Sequence, residues 1–107
     1  MSLTEEETRE YEQVRDTALR FMLEEARPHY AAWEKRGHVD RDLWRKAGGK
    51  GLLCTMTASD HGGLGGTFLH AAAVVDAIGA SDCALPGFFT HSDIIVPYIE
   101  RLGTPEQ

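Results

Sequence analysis

Apolar residues recur along this chain with a helical period, and strand-like alternation is rare. From Tyr11, the residues Val14, Ala18, Phe21 and Met22 follow at intervals of three and four with Glu and Arg between them, which makes one side of a helix apolar and leaves the other wet. Thr4 and Glu7 stand at capping-box spacing and predict the helix start. The helix is expected to stop before Pro28, whose ring disfavours helical geometry at Arg27. From Pro28 a shorter helix is expected through "PHYAAWEKRG", with the proline at its first position and Gly37 ending it in the left-handed region. Asp40 is expected to cap a third helix, "RDLWRKAGGKG", on which Leu43, Trp44 and Ala47 share a face. The run "LLCTMT" is too short for its period to separate strand from loop.

Thr67 is expected to cap "FLHAAAVVDAIGA", with Phe68, Ala71, Ala72, Val75 and Ile78 on one face and Leu69, Ala73, Val74 and Ala77 over most of the rest. A helix apolar all round is usually central in its bundle. The stretch "FFTHSDIIVPYIERLG" is helical by Phe88, Ile94, Ile95, Tyr98, Ile99 and Leu102, and Pro97 should kink it or begin a new helix. Gly103, Thr104 and Pro105 then supply a stop, a cap and a first-position proline for a further helix. Only Glu106 and Gln107 follow, so the sequence reads as a piece of a longer protein. The expectation is an all-α fold, a small bundle of about five helices, in one domain over residues 1–107.

Composition narrows the function classes. With 42% hydrophobic and 26% charged residues, the 107-residue chain belongs to the folded, globular class. Its formal net charge of −6 disfavours nucleic-acid backbones and anionic membrane surfaces as partners. No apolar run approaches the roughly 20 residues that span a bilayer, and the acidic N-terminus lacks the order of a signal peptide. Cys54 and Cys83 show no CxxC spacing, so free, packed thiols in a reducing compartment, the cytoplasm, are expected.

The stretch "SDHGGLGGTF" invites a phosphate-binding interpretation. Gly63 and Gly65 begin a G-x-G-x-x-G pattern, but Phe68 stands where the third glycine belongs, and no lysine followed by Ser or Thr closes a Walker loop. A tight helix-to-helix bend needing positive φ is the better account. The histidines His29, His38, His61, His70 and His91 form no HxxxH or H-E-x-x-H arrangement, so no metal site is expected. Asp60 beside His61, and His91 near Asp93, are sequence neighbours that rarely face one another. Trp33 and Trp44 are expected to anchor the core.

Four stretches in order, "LWRKAGGKGLL", "SDHGGLGG", the alanine-rich helix and "HSDIIVPYIERLGTPEQ", resemble the amino-terminal helical domain of the FAD-dependent acyl-CoA dehydrogenases, and "VRDTALRFMLEEARPHYAAWEKRG" is similar to its first two helices. "HSDI" and "PYI" place the resemblance nearest the long-chain-type members. Ala58, Ser59 and His61 depart from the proline, acid and aromatic residue common before the paired glycines. The resemblance implies a subunit of three parts, a helical domain followed by a β domain and a second helical domain. It implies that FAD sits mainly between the latter two, and that a glutamate of the last domain abstracts the α-proton of an acyl-CoA as the β-hydride leaves to the flavin. By this resemblance no catalytic residue and no FAD belong to residues 1–107. The glycines Gly62, Gly63 and Gly65 would turn the chain beside the active-site cleft, while Gly87, Phe88, Thr90, His91 and Ile94 would form part of the acyl-pocket wall. For Phe88 and Ile94, packing against the neighbouring helix is an equal alternative. The implied partners are acyl-CoA, the β and C-terminal domains of the same subunit, and further copies in a homo-oligomer. A stand-alone helical interaction module is the alternative, and a flavin-dependent oxidase or monooxygenase on the same architecture stays open.

Overall fold

A computed structural model describes residues 2–107, and among these it contains helices and turns but no strand. There are five α segments: α1 (Glu5–Phe21), α2 (Tyr30–Arg36), α3 (Arg41–Gly49), α4 (Phe68–Ser81) and α5 (Val96–Leu102). Helical turns weld α1 to α2 and extend α5 backward, so the segments form four rods, over 5–36, 41–49, 68–81 and 88–102. The all-α expectation is borne out.

Local chemistry explains most of the boundaries. Thr4 Oγ1 accepts the Glu7 amide at 3.0 Å and Glu7 Oε1 accepts the Thr4 amide at 3.0 Å, which satisfies two of the donors a helix start leaves open. Gly37 ends α2 at φ +92°, with its amide on Trp33 O at 2.8 Å. Asp40 precedes α3 as expected but its side chain does not cap it. The carboxylate turns back to the Arg36 guanidinium at 2.6 Å, which holds it below the usual carboxylate range. A charge-assisted pair outcompetes an amide bond for the same oxygen.

The two prolines act differently from a simple stop. Ahead of Pro28 the backbone widens into a π turn over Met22–Ala26, closed by Arg27 N–H on Met22 O, and then tightens into a 3₁₀ turn over Arg27–His29. Ahead of Pro97 a second π turn spans Thr90–Ile95, closed by Val96 N–H on His91 O. Proline brings no amide and its ring collides with the carbonyl four residues back; a turn with one extra residue re-aims those carbonyls and lets the rod continue. The chain therefore bends at both sites without breaking.

α1 packs along α4, and the core joins Ala18, Phe21 and Met22 to Val74 and Ala77, with Trp33, Leu43, Ala47, Leu52, Cys83 and Phe88 closing around them. Alanines on both helices let the backbones approach closely before dispersion contacts saturate. The buried side of α4 carries Ala71, Ala73, Val74, Ala77 and Ser81. This corrects the expected face: Phe68 is 73% and Val75 38% exposed, because a helix apolar all round carries no period to say which side turns inward. The loop after α4 is tied down by Tyr30 Oη, which accepts the Leu85 amide at 3.2 Å, and by Arg27 Nη1, which donates to Ser81 O at 2.9 Å.

Candidate functional site

The residues singled out by sequence gather where the rod 88–102 meets the loop between α3 and α4. Gly87, at φ +74°, makes the sharp turn into the rod, and its carbonyl accepts the His91 amide at 3.2 Å. Phe88 points inward, 3% exposed, with its ring edge-on to Trp44 at 4.7 Å. His91 meets the same indole edge-on at 5.2 Å. Thr90 and Ile94 lie on the exposed side. The five positions thus divide: Phe88 and His91 clasp Trp44, whereas Thr90 and Ile94 face outward beside Phe89, Ile95, Tyr98 and Leu102, all large and exposed. The division follows helical spacing, since Phe88 and His91 are three residues apart on one face and Thr90 and Ile94 four apart on the other; which face turns inward is decided by Trp44.

The glycine loop folds back on residues 54–57. Leu64 N–H donates to Cys54 O at 3.2 Å, Gly66 N–H to Thr55 O at 2.7 Å and Gly65 N–H to Thr57 O at 2.8 Å. Gly62 and Gly65 take positive φ, +87° and +69°. Gly63 is needed for another reason: a β-carbon there would lie 2.2 Å from Thr57 O. A phosphate cradle does not fit. The loop amides from Gly62 to Gly66 already donate to carbonyls of residues 54–59, and the Thr67 amide donates to His70 Nδ1 at 2.9 Å, so the glycine loop itself holds no open amide for a flavin pyrophosphate.

Two bonds tie this loop to the rod. Cys54 N–H donates to Ser92 Oγ at 2.9 Å, and Thr57 Oγ1 donates to Glu100 Oε1 at 3.1 Å. Cys54 sits at φ +52°, in the left-handed region that a β-carbon disfavours. Ser92 Oγ also lies 3.1 Å from His91 Nδ1. Between the rod and α4, Thr55 Oγ1 is buried without a partner, and burial pushes the Asp93 carboxyl above the usual carboxylate range. The loop-to-rod bonds and the orphan hydroxyl went unseen in the sequence, since a serine or threonine carries no mark of a partner 38 or 43 residues away. A cleft of about 560 Å³ opens between Thr57 and His61 on one side and Val96, Glu100 and Gly103–Gln107 on the other. Thr104 and Gln107 cap each other at its rim, with Thr104 N–H on Gln107 Oε1 at 2.8 Å.

Among the described residues no three His, Cys, Asp or Glu side chains converge to hold a metal ion. Cys54 and Cys83 are free, and among the described residues no helix is long and apolar enough to cross a membrane. His91 turns its Nδ1 to Ser92.

Comparison with known proteins decides what this helical unit is. The acyl-CoA dehydrogenase N-terminal domain pattern matches residues 8–107. The chain belongs to this family. It is 47% identical over 98 residues, 92% of its length, to a long-chain specific acyl-CoA dehydrogenase, mitochondrial, from Sus scrofa, and covers 23% of that protein. It is 28% identical over 100 residues to an isobutyryl-CoA dehydrogenase, mitochondrial, from Dictyostelium discoideum, covering 94% of this chain and 24% of that one. The crystal structure of an acyl-CoA dehydrogenase from Geobacillus kaustophilus superposes with a TM-score of 0.83 at 36% identity, over 97% of this chain and 26% of that one. This acyl-CoA dehydrogenase N-terminal domain thus spans about a quarter of the length of the relatives it matches. The family and the helical architecture read from the sequence are both borne out.

Proposed function

We propose that the domain works as part of a flavin-dependent acyl-CoA dehydrogenase that desaturates acyl-CoA thioesters between the α and β carbons, and that its share is a wall of the acyl pocket. FAD belongs to the complete enzyme in this proposal; the residues present here do not fit it, and the domain supplies no proton-transfer group to the reaction. The observation that carries the wall role is the outward side of the rod 88–102, where Thr90 and Ile94 stand exposed among large apolar neighbours on a domain whose relatives are named for acyl-CoA substrates. Such a surface needs cover, and the β and C-terminal domains of the same subunit, with an acyl tail between, would provide it. Phe88 enters the proposal as the inward support of the wall through Trp44, with Gly87 and His91 fixing its start. Gly62, Gly63 and Gly65 hold the loop behind it.

The reading is tested in a longer enzyme carrying this domain followed by its β and helical domains. Acyl-CoA-dependent bleaching of the flavin is expected there and absent from residues 1–107 alone. Ile94→Phe should shift preference to shorter acyl chains, since each methylene denied burial forfeits about 0.8 kcal/mol, roughly a fourfold change in kcat/KM. An unchanged chain-length profile would refute the wall role. The same exposed face also favours the second reading, a stand-alone helical module that pairs with its own copy; under the first reading the whole enzyme is proposed to be a homo-oligomer. The proposed setting is a reducing compartment. The cytoplasm suits the two free thiols, and the relatives named mitochondrial point to a different one.

A further inference from the structure

We propose that Ser92 is a positioning residue that sets the depth of the acyl pocket without lining it. The proposal rests on the wall role argued above. Ser92 lies at the middle of the π turn over Thr90–Ile95, 7% exposed, while Thr90 and Ile94 on the same turn are exposed. Its Oγ accepts the Cys54 amide at 2.9 Å and shares a second hydrogen bond with His91 Nδ1 at 3.1 Å. One buried oxygen thus connects three things: the loop, the rod and a residue of the proposed wall.

Two observations make this bond a register pin in addition to a local contact. Cys54 occupies a backbone conformation that a non-glycine residue keeps only where its surroundings over-determine it. Cys54 O is held by the Thr57 and Leu64 amides, each at 3.2 Å, and Cys54 N–H by Ser92. The π turn is the second observation. An α turn repeats every 3.6 residues, so loss of the extra residue would rotate the side chains beyond it by about 100°. Tyr98 and Leu102, which follow the turn, would leave the exposed side they share with Ile94. The neighbouring tie, Thr57 Oγ1 to Glu100 Oε1 at 3.1 Å, lies further along the same rod and leaves the π turn itself unanchored.

The test uses the longer enzyme, with kcat and KM measured across a series of saturated straight-chain acyl-CoAs for Ser92→Ala, Ser92→Thr and Ile94→Phe. The expected result is a displacement of the preferred chain length in Ser92→Ala by roughly two methylenes, about a fifteenfold change in relative kcat/KM. The change should be carried by KM, and Ser92→Thr, which keeps the hydroxyl, should restore the parent profile. If Ile94→Phe moves the profile and Ser92→Ala does not, the pin is refuted and the wall stands. Failure of both substitutions to move it removes the wall and the pin together. A displacement equal in Ser92→Ala and Ser92→Thr would also overturn the proposal, because the hydroxyl would then be irrelevant.

Discussion

Gly63→Ala probes the close packing on which the loop depends. The added β-carbon would stand 2.2 Å from Thr57 O and 2.4 Å from Thr57 Cβ, against about 3.5 Å for a relaxed contact. The obstacle is backbone, so no rotamer change relieves it, and the two sides of the loop must part by roughly 1 Å. Parting them breaks the bond from Gly65 N–H to Thr57 O, now 2.8 Å. Overpacking of this kind costs about 1–3 kcal/mol, and the lost hydrogen bond adds about 1 kcal/mol. The sum, about 2–4 kcal/mol, corresponds to a fall in Tm on the order of 10–20 °C for a domain of this size. Urea and thermal unfolding followed by the fluorescence of Trp33 and Trp44 measure it. Gly49→Ala is the control: it ends α3 with nothing within 4 Å of the added carbon, and should be neutral or gain up to about 1 kcal/mol. A Gly63→Ala variant as stable as the control would show that the loop yields freely and would refute the close packing.

Titration should expose two further features. Tyr11 Oη donates to Asp76 Oδ2 at 2.7 Å, joining α1 to α4, and Arg15 Nε lies 3.1 Å from the same oxygen. The hydrogen bond lowers the Asp76 carboxyl and raises the Tyr11 phenol from their ordinary values. The Asp76 contribution is present above the ordinary carboxylate range and lost as the pH falls through its depressed folded value; the Tyr11 contribution is present below the ordinary phenol range and lost as the pH rises through its raised one. Tyr11→Phe should therefore be less stable at neutral pH and show flatter acid and alkaline limbs, and a parallel pH–stability curve would contradict the pairing. Asp93 has the opposite sign: burial raises it, so its neutral form favours folding at low pH and that advantage disappears as the carboxyl ionises. Asp93→Asn should raise Tm near neutrality, with the gain vanishing in acid; a Tm unchanged at both extremes would place Asp93 in water.

Several local decisions were written in the sequence. Thr4 with Glu7, Gly37 after Arg36, and Thr67 before the alanine-rich helix mark boundaries through hydrogen bonds made within a few residues, so the order of residues is enough to specify them. The helical period of α1 likewise told its buried side, Ala18, Phe21 and Met22, correctly. The family was legible because four motifs keep their order over most of the chain. Other features depend on groups that meet only after folding. Asp40 abandons its helix for Arg36, and α4, apolar all round, shows its inward side only once α1 lies along it. The π turns before Pro28 and Pro97 re-phase the side chains beyond them, and Phe88 goes inward because Trp44 of another rod receives its ring. Ser92 acquires its partner because the loop folds back 38 residues along the chain. Sequence governs interactions closed within one or two turns, where few geometries compete; tertiary structure decides those whose partners are distant, since their free energy exists only after the rods have packed.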